Sequence, residues 1–152
     1  MRAAATRLLD EAGRHAAEVS VLLVNDAEIR ALNRAWRAID RPTDVLSWPQ
    51  EAAGGVPTSG RGAADEDLLG DVVISLDTAA RQAAARGWDL EDEAALLLVH
   101  GILHLLGHED ETEDGAETMR RIETRILGKP LEKVAAAPGA ATPPPPPDHR
   151  RR

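Results

Sequence analysis

His100 and His104 stand four residues apart in the apolar run Leu96 to Leu106, with Gly107 and Asp110 following closely. In a helix this spacing sets the two imidazoles about 6 Å apart along the axis and about 40° apart in azimuth, so both can converge on one ion. Gly107 can end the helix in a left-handed conformation, and the chain can then turn back so that a residue a few positions on completes the coordination. Asp110 is the best-placed third donor, and His108, directly after the glycine, is its competitor. Three protein donors leave a fourth position for water, whose pKa a zinc ion lowers towards neutrality, so the implied chemistry is hydrolytic. The plain alternative is a pair of histidines satisfied by backbone or water, at the cost of accommodating two polar rings in a core.

Gly101 occupies the position at which metalloproteases of the H-E-x-x-H type carry their general-base glutamate. A peptidase reading therefore loses its base. Glu109, Glu111 and Glu113 are the nearest substitutes, and each reads as a solvated loop charge. The glycine instead leaves room for a bulky substrate or a close strand.

The elements that must position these residues are legible from periodicity and caps. Val19–Val24 reads as a largely buried strand, and Asn25 with Glu28 three residues on is a capping-box-like start for a helix running to about Ala38. On that helix Ile29, Leu32 and Trp36 share one face, while Arg30, Arg34 and Arg37 fall on a face about 120° round. Arg41 would extend the arginine stripe, but Pro42 forces its backbone out of the helix. Thr43–Trp48 and Leu69–Ser75 read as short strands, separated by a Gly-, Pro- and Ser-rich surface loop from Gln50 to Asp67. Leu76–Arg86 is helical with Gly87 as its stop, Asp89 caps a helix from Leu90 to Leu106, and a last amphipathic helix spans about Asp114–Leu127.

At 152 residues the chain has room for one domain, and its 43% hydrophobic content suffices for a core of Leu, Val, Ile and Ala, since it has three Trp and no Phe or Tyr. Without cysteine any metal must be held by nitrogen and oxygen. Residues 1–134 form the expected domain, and 135–152, with Pro143–Pro147 in a row and a basic end, an extended tail. The net charge of −8 excludes diffuse capture of nucleic acid; dropping Asp148 and three arginines with the tail leaves 15 basic and 25 acidic residues, −10. Any RNA contact is therefore local, and no DNA partner is expected. No apolar stretch is long enough for a membrane span or shaped like a signal peptide, so the expected location is cytoplasmic.

With these residues in hand, the chain resembles the YbeY family of bacterial rRNA maturation factors, single-domain metal-dependent endoribonucleases. The family motif H-G-x-L-H-L-x-G-Y-D-H is matched by His100, Gly101, Leu103, His104, Leu105 and Gly107, and three more segments resemble the family: Glu28–Arg37 (EIRALNRAWR), Asp40–Pro49 (DRPTDVLSWP) and Leu68–Ile74 (LLGDVVI). The resemblance implies a zincin-like α+β metalloprotein, with a central metal-binding helix, a mixed sheet of three to four strands and about five helices. It implies a single-strand-specific endoribonuclease acting in small-subunit rRNA 3′-end maturation and ribosome quality control.

By the same resemblance, His100 and His104 bind one Zn²⁺, with Asp110 where the family has its third histidine. His100 and Arg37 are catalytic. A guanidinium at Arg37 can grip a scissile phosphate or stabilise charge developing on it. Arg30, Arg34, Arg41, Thr43, Asp44 and Ser47 line the substrate cleft, with Asp44 also placed to cap or turn the chain. A carboxylate at 110 offsets one unit of metal charge, makes bound water less acidic and lets a harder ion such as Mn²⁺ compete. The family's strand before the first helix has no counterpart in helix-like Arg2–Gly13, so either an edge strand is missing or the true start lies upstream. The rival class is a ribosome-assembly factor with a structural zinc, whose acidic surface suits small-subunit proteins or an assembly GTPase.

Overall fold

The computed structural model describes residues 1–50 and 68–131. The expected tail lies outside these residues, as does the expected surface loop apart from Gln50. The elements in chain order are α1 (Arg2–Glu11), β1 (Glu18–Val24), α2 (Asp26–Arg37), β2 (Val45–Pro49), β3 (Leu68–Ser75), α3 (Leu76–Arg86), α4 (Leu90–Leu105) and α5 (Glu113–Leu127). This is an α+β domain with a three-stranded mixed sheet, order β1-β3-β2, in which β3 pairs parallel with β1 and antiparallel with β2.

The caps that sequence reasoning identified are made. Asn25 Oδ1 accepts from the Glu28 amide at 2.9 Å, and Asp89 Oδ1 accepts from the Asp92 amide at 2.9 Å. Each satisfies an amide that the first helical turn leaves without an intrahelical partner. Thr112 Oγ1 does the same for Gly115, which starts α5 one residue before the expected Asp114.

Alternation along the strands splits the core in two. Val45, Leu69, Val72 and Ile74 face α4, together with Leu8 and Leu9 of α1 and Met119 and Ile126 of α5. Leu46 and Val73 face the other way, onto Ile29 of α2. Helix α4 lies at the centre, with Val99, Ile102 and Leu103 fully buried. Each such side chain stabilises by about 1.5–3 kcal/mol, which outweighs the roughly 1 kcal/mol that Gly101 costs within the helix.

Gly101 is where α4 meets the sheet. A Cβ there would lie 2.7 Å from Val72 Cγ1 and 3.1 Å from Val72 Cγ2. The space left by the missing side chain is filled by a strand.

One expectation is corrected. The β1 run reads as largely buried, yet only Val24 is; Val21, Leu22 and Leu23 are 39%, 55% and 42% exposed. Among the described residues β1 is an edge strand paired with β3 alone, which leaves these three side chains with much of their surface exposed. An apolar run encodes strand propensity but not which strands receive a neighbour on every side.

Candidate metal centre

His100 and His104 occupy the last turns of α4, where the caps and the buried apolar face fix their direction. The helix ends at Leu106, Gly107 takes φ 96°, and the His108 amide bonds back to the Leu103 carbonyl at 3.0 Å. That turn brings Asp110 back over the helix end. His100, His104 and Asp110 each offer a ligand atom, all within 4.8 Å of one another, and they form the one such three-residue group among the described residues.

The distances favour a cation between them. His100 Nε2 lies 3.1 Å from His104 Nε2 and 3.5 Å from Asp110 Oδ2, and His104 Nε2 lies 3.8 Å from Asp110 Oδ2. Donors about 2.0–2.1 Å from a tetrahedral zinc are separated by about 3.3 Å, close to these values.

The ring tautomers point the same way. His104 Nδ1 lies 3.0 Å from the His108 carbonyl and His100 Nδ1 lies 2.7 Å from Glu123 Oε1. Both partners are acceptors, so both Nδ1 atoms carry the hydrogen, and the two Nε2 lone pairs face each other and a carboxylate. Three electron-rich atoms at this range need a positive charge among them.

A proton can supply that charge. Burial, the largest single influence, works against protonation of His100, but Asp110 and Glu123 together outweigh it and push its pKa up to about 10. His104 moves down, through burial and then the neighbouring His100 charge. Asp110 is held below the usual carboxylate range, chiefly by its hydrogen bond with His100. A divalent ion would displace the His100 proton and meet two neutral imidazoles and one carboxylate, so the donor set fits a metal.

His108 contributes its carbonyl, as the acceptor that orients His104, and does not join the cluster. Arg37 sits in the last turn of α2, half-buried, and its Nη1 lies 3.5 Å from Asn33 Oδ1. Burial, followed by the Arg41 cation, pulls its pKa below the ordinary guanidinium value. Asn33, 1% exposed, also donates to the Arg41 carbonyl at 2.9 Å, tying α2 to the segment leading into β2. Arg30 is engaged elsewhere, with Nε and Nη2 on the Asp40 carboxylate at 3.0 and 3.2 Å, and Arg34 is exposed.

Asp44 is a turn residue. Its Oδ1 accepts from the Val45 amide at 2.8 Å and its Oδ2 from Gln82 at 3.2 Å, with Thr43 Oγ1 3.4 Å away. Ser47 is 6% exposed in β2, on the side of the sheet that faces α4. Glu123 was missed by sequence reasoning. The available signal was a carboxylate on the apolar face of α5, between Met119 and Ile126.

Fold and site together define a single-domain α+β protein with a His-x-x-x-His helix and a carboxylate that could hold a metal ion. A family model described as endoribonuclease YbeY matches residues 1–130. The chain is similar to the endoribonuclease YbeY of Pelotomaculum thermopropionicum, 48% identical over 128 residues, which are 84% of this chain and 82% of that protein. It is also similar to that of Thermus thermophilus, 44% identical over 129 residues, 84% and 86% of the two chains. The solution structure of a Thermotoga maritima protein is similar with a TM-score of 0.55 and 26% identity, covering 84% of this chain and 79% of the other. The chain belongs to the YbeY family of endoribonucleases, and it is a nuclease of the hydrolase class.

Proposed function

We propose that this chain is a single-strand-specific, metal-dependent endoribonuclease that acts in small-subunit rRNA 3′-end maturation and ribosome quality control. The observation that carries the reading is the convergence of His100 Nε2, His104 Nε2 and Asp110 Oδ2 in a chain whose relatives are endoribonucleases. His100, His104 and Asp110 would hold the ion, Zn²⁺ first and Mn²⁺ as the alternative that the carboxylate admits, and such an ion would polarise a phosphodiester and lower the pKa of a bound water towards neutrality.

The chain's own groups do the rest. Arg37 offsets charge developing on the phosphoryl oxygens, and Asn33 steadies it while linking α2 to Arg41. Arg34 and Arg41 supply local positive charge to an otherwise acidic protein, which suits a short splayed strand better than a long duplex. Arg30 contributes least, because Asp40 already holds its guanidinium. Thr43, Asp44 and Ser47 shape the wall of the same cleft from the β2 side. The domain runs over 1–134 with 135–152 as an appended tail, and its place of work is the cytoplasm. Among the described residues, no helix is long and apolar enough to cross a membrane.

The experiment is Arg37→Ala with metal content measured. Unchanged metal with RNA cleavage reduced about 10²–10³-fold is expected from loss of a transition-state contact; full metal with undiminished cleavage would remove Arg37 from the mechanism.

The net charge of −8 favours a second reading, in which the chain binds basic small-subunit proteins or an assembly GTPase and its metal is structural. Partner binding that survives chelation, without chelator-sensitive nuclease activity, distinguishes it.

A further inference from the structure

Helix α5 buries Met119, Glu123 and Ile126 along one face. Met119 and Ile126 join the main apolar core, while Glu123, only 7% exposed, sits between them. Packing alone asks for a leucine at 123, since a carboxylate buried on an apolar face is costly unless it is well paired. Its partner is His100 Nδ1 at 2.7 Å, 23 residues earlier in the chain.

We propose that Glu123 is the positioning residue of the metal centre: it holds His100 as the Nδ1–H tautomer, aims Nε2 at His104 and Asp110, and makes the docking of α5 part of the site. The inference rests on the metal reading above. A hydrogen bond from Nδ1 to a carboxylate fixes the ring and raises the basicity of the opposite nitrogen, and loss of such an outer partner typically costs about 10–100-fold in metal affinity. The two histidines differ in this respect. His104 is oriented by a neutral carbonyl, that of His108, at 3.0 Å, whereas His100 is oriented by a charged group. Glu123 thereby adds a second negative charge beside that of Asp110, and one divalent ion balances the pair.

A packing role and a positioning role predict different results for Glu123→Leu. If the carboxylate were only a packing element, the variant would change stability and leave metal affinity alone. As a positioning residue, its loss weakens zinc binding and changes the geometry of the bound ion even in a protein that stays folded without metal.

The test measures zinc affinity by competition with a chromophoric chelator for the full chain, Glu123→Leu and Glu123→Gln, with thermal unfolding of each metal-stripped protein and the visible spectrum of each Co²⁺-loaded one. Zinc binding about 10–100-fold weaker in a folded Glu123→Leu protein, with an altered Co²⁺ spectrum and partial recovery in Glu123→Gln, is the expected result. Glutamine keeps an oxygen acceptor but not the charge. Wild-type affinity in a folded Glu123→Leu protein overturns the inference while leaving the metal site standing. An unaltered chain that fails to bind one zinc overturns both. Should Glu123→Leu not fold, Glu123→Gln decides: affinity reduced threefold or more supports the role, and unchanged affinity removes it.

Discussion

Val72 fills the space that a side chain at Gly101 would occupy, its Cγ1 standing 2.7 Å from where a Cβ would lie. The position that carries a general-base glutamate in H-E-x-x-H peptidases is here a contact between helix and sheet. Peptidase chemistry is thus disfavoured by packing as well as by composition. Gly101→Ala should destabilise by up to about 2 kcal/mol, because overpacking of about 1–3 kcal/mol offsets or exceeds the roughly 1 kcal/mol gained in helix propensity. Urea denaturation checks this; a variant more stable than the parent would show that α4 can lift from β3 freely.

Asp110 and His108 are both close enough in sequence to complete the centre, and the turn at Gly107 separates them. Asp110 faces the two Nε2 atoms, while the His108 carbonyl lies against His104 Nδ1. Asp110→Ala should therefore lower zinc affinity by at least tenfold, whereas His108→Ala, which keeps its carbonyl, should change it less than threefold. Isothermal titration with Zn²⁺ separates the two, and the reverse ranking would move the third ligand to His108.

The charge at His100 sets the direction of the pH dependence. Its folded pKa of about 10 stands above the ordinary 6.5, so in metal-stripped protein the stabilisation from its proton is fully present below pH 6.5 and is lost as pH rises through about 10. A divalent ion must displace that proton. Apparent zinc affinity should rise by about tenfold per pH unit between pH 7 and 9, while the stability of stripped protein falls throughout the same range. Chelator competition and thermal unfolding at matched pH check both slopes.

Away from the site, Asp26 ties α2 to α3. It accepts from Ser75 Oγ at 2.6 Å, Thr78 Oγ1 at 2.7 Å and Arg81 at 2.8 Å. Burial is the largest single influence and would raise its pKa, but these three donors together win and lower it. The sign is therefore opposite to that of His100: the stabilisation is present above about pH 3.8 and is lost as pH falls through the lowered value. Asp26→Asn should cost about 1–2 kcal/mol at pH 7 and progressively less at lower pH, as measured by chemical denaturation.

The sequence revealed what is local. The Asn25 and Asp89 caps, the stops at Gly87 and Gly107 and the four-residue histidine spacing act within one or two turns, and the structure makes each as read. What depends on distant partners was hidden. The exposure of Val21, Leu22 and Leu23 follows from strand order, Arg30 is held by the Asp40 carboxylate beyond the end of α2, and the Glu123 contact with His100 requires two helices to dock. A one-dimensional pattern shows that a carboxylate is out of place on an apolar face; only the packed helices show what it meets.

The central claim is that the His100, His104 and Asp110 centre drives RNA cleavage. The most direct measurement is the initial rate of single-stranded RNA cleavage by the pure chain as isolated, after chelation, and after return of one equivalent of Zn²⁺ or Mn²⁺, with Asp110→Ala alongside. Cleavage should vanish on chelation, return with the ion in the parent chain, and stay low in Asp110→Ala at the same ion concentration. Cleavage indifferent to chelation, or equal in the two proteins, would contradict the account.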